Sequence, residues 1–240
     1  MAKVITKKSD IKIIVNVLLD KLPYLGQNDF WEILDKEILQ QKVRFPMLEY
    51  FTNLLLDEIL YKDQIDFCDK INSLKRESGY VIVATVLKNR LNTDLTQSFE
   101  KAVEYFIEGD EWYVCDIIGE RVFGVGLLDH FDETFPYLEK IAEHENHWVK
   151  RSVGTAIHLA VKWGLEKERV SKLLDLALKY DNTSFYQMKK GIGWGVKTIA
   201  KFHPDLIYER NILNNGKIGK WFLRKVKIGL NNPKSKFTRK

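Results

Sequence analysis

"KKGIGWGVKTIAKF", residues 189–202, supports two readings at once. Met188, Ile192, Val196 and Ile199 recur at the spacing of a helical turn, so the stretch predicts a helix with one apolar stripe. Gly191, Gly193 and Gly195 lie inside it, and each interior glycine costs about 1 kcal/mol relative to alanine. The compensation expected is close approach, by a neighbouring helix or by a bound partner. The opposite face reads Lys190, Trp194, Lys197 and Lys201, which places one tryptophan in a column of positive charge.

The pattern recurs upstream, and the recurrence decides the fold. "DIIGERV" at 116–122, "RSVGTAI" at 151–157 and "KGIGWGV" at 190–196 share a charged residue, any residue, an aliphatic, glycine, two free positions and an aliphatic. Their glycines, Gly119, Gly154 and Gly193, are 35 and 39 residues apart. That interval suits stacked helix pairs of the HEAT kind, whose period is about 40 residues. A weaker echo, "RESGYVI" at 76–82, precedes them. Helical periodicity runs through 10–22, 29–42, 46–61, 64–73, 79–91, 95–107, 111–123, 133–144, 147–163, 166–179, 184–202, 204–212 and 217–229, with strand signals nearly absent. The expectation is an all-α chain, a right-handed superhelical stack of antiparallel helix pairs in one domain. Residues 1–75 would be divergent N-terminal helices, 76–230 the repeat region carrying the site, and 231–240 a basic tail.

Equivalent positions of a solenoid line up on one surface, so the charged residue three before each glycine predicts a row: Asp116, Arg151, Lys190. Trp112 and Asp116 share a helix face at i and i+4. On the next such helix Val149, Val153, Ile157 and Ala160 form the buried stripe, leaving Arg151, Thr155, His158 and Lys162 opposite. The inferred concave surface holds Trp112, Asp116, Arg151, Lys190, Trp194, Lys197 and Lys201, with Lys150 beside Arg151.

Composition narrows the function. With 45% hydrophobic residues and 30% charged ones the chain can bury a core as a soluble protein. No apolar run approaches the roughly 18 residues of a membrane span, and the amphipathic N-terminus does not end in a cleavage site, so a cytoplasmic location is expected. Cys68 and Cys115 are far apart and the five histidines show no ligand spacing, so neither a metal nor another cofactor is expected. The net charge is +5, yet nine of the 38 basic side chains fall within 216–240, which holds no acid; the rest of the chain is slightly acidic. Lys217, Lys220 and Arg224 belong to this basic segment, which reads as a solvated end or as the footprint of a nucleic-acid partner.

At these residues the sequence resembles the bacterial and archaeal DNA alkylation repair glycosylases built from HEAT-like repeats. The resemblance spans roughly 76–230 and is clearest in "DEWYVCDIIG", "ENHWVKRSVG" and "KKGIGWGVKTIAKFHPDLI". It implies that Trp112 and Asp116, four residues apart, Arg151 within Trp-x-x-Arg, and Trp194 within Ile-Gly-Trp form the catalytic set. It also implies a monomer acting on alkylated duplex DNA with the base largely left in the duplex. The N-terminal "YLGQNDFWEIL" keeps the Leu-Gly of the family's glycine loop but lacks the proline and arginine that follow it. Two other readings use parts of the same face. A binder of branched or damaged DNA that cleaves nothing needs the cations alone, and a HEAT-type protein scaffold needs neither the tryptophans nor Asp116.

Overall fold

The computed structural model describes residues 3–21, 28–234 and 237. Leu25 and Gly26 of the N-terminal stretch, and Lys236, Arg239 and Lys240 of the basic tail, lie outside the described residues. The chain divides into two compact units, Met1–Ser98 and Phe99–Lys240, with the boundary inside helix α6, Leu95–Gly109. The sequence reading takes the chain as one domain and draws its internal division at 75/76. No helix among the described residues is long and apolar enough to cross a membrane.

In the first unit β1 (Val4–Ile5) pairs in parallel with β2 (Lys42–Val43), a two-residue bridge that helical periodicity passes over. The helices are α1 (Lys8–Leu19), α2 (Asn28–Leu34, running into a π turn at Asp35–Leu39), α3 (Phe45–Leu56), α4 (Gln64–Ser73) and α5 (Glu77–Arg90). Every residue of α5 from Gly79 to Leu87 is buried, and α3 and α4 both pack on it. Its Val81-Ile82-Val83 run is as suited to a strand as any in the chain. Burial overrides that preference, which amounts to less than about 1 kcal/mol per residue. Arg90 ends the helix only 3% exposed, with its guanidinium on neutral acceptors: the Tyr61 carbonyl at 2.8 Å and Gln97 Oε1 at 2.6 Å.

In the second unit α7 (Trp112–Gly119) continues through a π turn (Glu120–Gly124) into α8 (Val125–Asp129). There follow α9 (Phe131–Ala142), α10 (His147–Lys162), α11 (Lys167–Leu178), α12 (Tyr186–Phe202), α13 (Pro204–Glu209) and α14 (Lys220–Leu230). Pro204 opens α13, where its fixed φ suits a first helical position. Alternate helices pack in sequence: α10 against α7 and its π turn, α12 against α10, and α14 against α12, while α9, α11 and α13 contact the members of this row. Side-chain ties join helices at separations of 35 to 42 residues. Lys179 meets Glu139 at 2.8 Å and 40 residues' separation, Arg210 clasps Asp175 at 2.9 and 3.0 Å across 35, and Lys167 reaches Glu209 at 3.0 Å across 42.

The glycines set how closely the row packs. A Cβ on Gly154 would lie 1.8 Å from the carbonyl carbon of Gly191, and one on Gly191 would lie 2.1 Å from the carbonyl oxygen of Arg151. The helices α10 and α12 therefore meet backbone to backbone, and the approach that the sequence leaves open between a helix and a bound partner is made by a helix. Gly193 faces elsewhere, toward the Lys225 side chain of α14. This corrects the register. Gly154 is matched with Gly191 and not with Gly193, and the α12 side chain that reaches Arg151 is Gln187 rather than Lys190.

Candidate active site

The start of α10 is fixed before its functional residues appear. Asn146 caps the helix, accepting from the backbone N–H of Trp148 at 2.8 Å and of Val149 at 3.3 Å. The indole of Trp148 donates to Asp110 Oδ1 at 2.7 Å, and the buried Cys115 thiol donates to the Trp148 carbonyl at 3.1 Å. Made two residues before α7 and at its fourth residue, these bonds hold α7 against α10 one turn ahead of Arg151.

The consequence is a fork-to-fork pair. Arg151 Nε donates to Asp116 Oδ1 at 2.8 Å and Nη2 to Oδ2 at 2.7 Å, with both side chains 13% exposed. The remaining arm, Nη1, donates to Gln187 Oε1 at 3.0 Å. Burial works against the charge on Arg151, but the hydrogen bonds and charge of Asp116 outweigh it and hold the guanidinium above its ordinary value. Two of the three residues expected in a row are thus in contact, and Gln187 replaces Lys190 as the third.

Exposed aromatic groups stand at the starts of the helices that carry Asp116 and Gln187. Trp112, at the first position of α7, is 55% exposed, and Phe185 and Tyr186, at the start of α12, are 53% and 64% exposed. Lys190 stands over the Tyr186 ring at 5.1 Å. Lys150 departs from expectation: it is buried, its ammonium lies 4.0 Å from the Phe185 ring centroid, and it does not join the open cations. A stem folded along apolar surface toward an aromatic face explains both facts.

Trp194 is half-buried and stacks on His158, with centroids 4.1 Å apart and planes at 23°. The Thr198 hydroxyl donates to the Trp194 carbonyl at 3.0 Å and therefore accepts from His158 Nδ1 at 2.7 Å, which leaves Nε2 as the unprotonated nitrogen. Nε2 faces Glu120 Oε1 at 3.9 Å. Burial, then Lys162, Lys197 and Lys201, lower the His158 pKa to about 3, so the two groups do not form an ion pair at neutral pH. Glu120 and His158 escape the sequence reading as site residues. Glu120 sits at a free position of "DIIGERV", and the π turn that carries it has no periodicity signal of its own.

Cations flank this surface. Lys190, Lys217, Lys220 and Arg224 are exposed, and Lys197 and Lys201 half-buried. None of these six has an acid partner within ion-pair distance among the described residues. Lys225, which the sequence reading did not single out, joins them, and burial, then Lys197, Lys190 and Arg224, lower its pKa. Like charges gathered without a counter-charge repel one another, and a polyanion lying across them removes the repulsion.

The family model described as DNA alkylation repair enzyme matches residues 42–210, a span that includes Trp112, Asp116, Arg151 and Trp194 and ends before Lys217. No curated protein and no solved structure matches the chain. With most of its length and all four of those residues inside the matched span, the chain belongs to the DNA alkylation repair enzyme family, enzymes of DNA repair whose partner is DNA.

Proposed function

We propose that the protein is an alkylpurine DNA N-glycosylase. It would bind duplex DNA across α10, α12 and α14, as the inner layer of a right-handed HEAT-like superhelix, and hydrolyse the N-glycosidic bond of cationic alkylated purines such as 3-methyladenine and 7-methylguanine. The observation that carries this reading is the Asp116–Arg151 pair, 13% exposed, with the open indole of Trp112 four residues before Asp116 on α7 and cations of α12 and α14 that have no acid partner among the described residues.

The chemistry suits those groups. A purine alkylated on a ring nitrogen already carries positive charge, which weakens its bond to the sugar. The site then needs chiefly to stabilise the oxocarbenium ion that forms as the base leaves. Asp116 supplies a carboxylate for that ion and orients a water toward C1′. Arg151 fixes both carboxylate oxygens, and its planar fork also suits a phosphate. Trp112 and Trp194 offer aromatic faces to the cationic nucleotide, each worth about 0.5–2 kcal/mol. His158 covers one face of Trp194, so the substrate meets the other.

Incubation with methylated duplex DNA, followed by chromatography of free base, tests the reading. Released methylpurine is the expected result. Binding of branched DNA in preference to duplex, with no base released, would replace it with the non-catalytic alternative. The cations give an independent check. Duplex affinity is expected to fall steeply with salt, each neutralised phosphate adding about 0.9 to the slope of log K against log salt. Replacing Lys190, Lys197 and Lys201 together with alanine should flatten that slope by about 2 to 3. An unchanged slope would remove α12 from the interface.

A further inference from the structure

We propose that Phe185 and Tyr186 form an aromatic ledge that packs on deoxyribose of the bound strand beyond the damaged nucleotide and so sets how the duplex lies on α12. The inference rests on the part of the reading above that puts DNA on the α12 face, and it needs no base to be cleaved.

The helix gives the ledge its place. Tyr186, Lys190, Trp194, Lys197 and Lys201 follow at steps of four, four, three and four, so Tyr186 adds one turn to the column of cations and stands on the same side of α12 as Trp194. Eight residues separate the two aromatic positions, about 12 Å along the axis. A ring at that distance meets the strand beyond the nucleotide that Trp194 would contact. The next residue, Gln187, accepts from Arg151 Nη1 at 3.0 Å, and Tyr186 is close enough to Arg151 to act on its charge. The ledge is thus joined to the Asp116–Arg151 pair without belonging to it.

Both rings are open to solvent and yet held. Phe185 is fixed through its backbone, whose N–H donates to Thr183 Oγ1 at 3.3 Å and whose carbonyl accepts from the Lys189 N–H at 3.0 Å. Its ring is set against the ammonium of the buried Lys150, 4.0 Å from the centroid, and the Tyr186 ring against Lys190 at 5.1 Å. A lysine placed on an aromatic face instead of a carboxylate fixes the ring and keeps its own charge uncompensated. Rigid aromatics of this kind lose little freedom when a partner arrives.

Two apolar surfaces backed by positive charge select their occupant. A second copy of the chain would bring the same cations against these, and a wholly apolar partner would bury them without a counter-charge. A DNA strand offers both complements at once, phosphate to Lys190 and its neighbours and sugar carbons to the rings. While the bases stay paired, the apolar part of the strand's outer edge is its deoxyribose. Contacts to sugar and phosphate fix the register of a duplex without reading its sequence.

The test measures duplex affinity of the full-length chain across salt concentrations for wild type, Phe185→Ala/Tyr186→Ala and Lys190→Ala. The double variant is expected to bind about tenfold or more weakly at every salt concentration, the scale of leaving parts of two rings in water. Its slope of log K against log salt should be no lower than that of wild type, because ring–sugar contacts release no counterions, whereas Lys190→Ala should lower the slope by about 0.9. Its melting temperature should stay within about 2 °C of wild type, since both rings are already exposed. Unchanged affinity in the double variant overturns the ledge. So does a lowered slope, which would make the rings mere supports for the lysines, or a lowered melting temperature, which would assign them to the fold. A wild type whose duplex binding ignores salt overturns the ledge and the DNA face together. Steep salt dependence and a tenfold loss in the double variant, without release of methylpurine by wild type, support the ledge and overturn the glycosylase alone.

Discussion

Asp116→Asn is expected to lower release of cationic methylpurine by about 10²-fold or more, the scale of removing one strong electrostatic stabiliser from a developing charge. The substitution keeps the shape of the side chain and one acceptor for Arg151, but removes the charge that would face the sugar cation. Duplex affinity is expected to hold or rise, because a negative group near the phosphates is gone. The geometry adds a second effect. Asp116 takes two hydrogen bonds from an arginine that is itself 13% exposed, so the asparagine leaves that guanidinium partly uncompensated and costs about 1–3 kcal/mol of stability. Melting temperature, affinity and base release measured on one preparation separate the two. A folded Asn variant that releases base at the wild-type rate would remove Asp116 from the chemistry.

Gly154→Ala should have the largest effect on stability. Its new methyl would sit 1.8 Å from the Gly191 carbonyl carbon and 2.2 Å from the Ile192 nitrogen, and both obstacles are backbone of the facing helix. Rotation of a side chain cannot relieve such a clash. The helices α10 and α12 must separate, at a cost of about 3 kcal/mol or more. Gly193→Ala is the control two residues from the contact. There the methyl would meet the aliphatic carbons of Lys225 at 3.1 Å, which a flexible stem can clear, and the helix gains up to about 1 kcal/mol from losing an interior glycine. Urea unfolding of both variants should place them on opposite sides of wild type or nearly so. Equal midpoints would refute the assigned register.

The same glycines show what a single sequence can and cannot disclose. Periodicity locates the helices because the apolar stripe that packs each one is written into consecutive residues. The shared glycine pattern also singles out Asp116 and Arg151, which stand three residues before a glycine on two packed helices and which the structure joins in an ion pair. It misaligns the third helix because Gly193 alone of the three α12 glycines satisfies the local pattern, whereas the glycine that meets Gly154 is Gly191, and which of them does so depends on how two surfaces interlock. Gln187 was missed for that reason. Glu120 and His158 were missed for another, as neither residue is unusual until a π turn and a stacked indole bring them within 3.9 Å. Lys150 shows the opposite error, a cation whose neighbours in the sequence suggested an open surface and whose neighbour in space is a phenyl ring.

The ties between helix pairs join residues 35 to 42 positions apart. Ties of this span close only short loops, and the entropic cost of each such closure stays small. During synthesis each pair can dock on the one before it as soon as some forty further residues have emerged, so growth of the structure can follow growth of the polypeptide. Order along the chain then becomes order in time: α7 waits for α10, α10 waits for α12, and the Asp116–Arg151 pair can form before the basic helix α14 has been made.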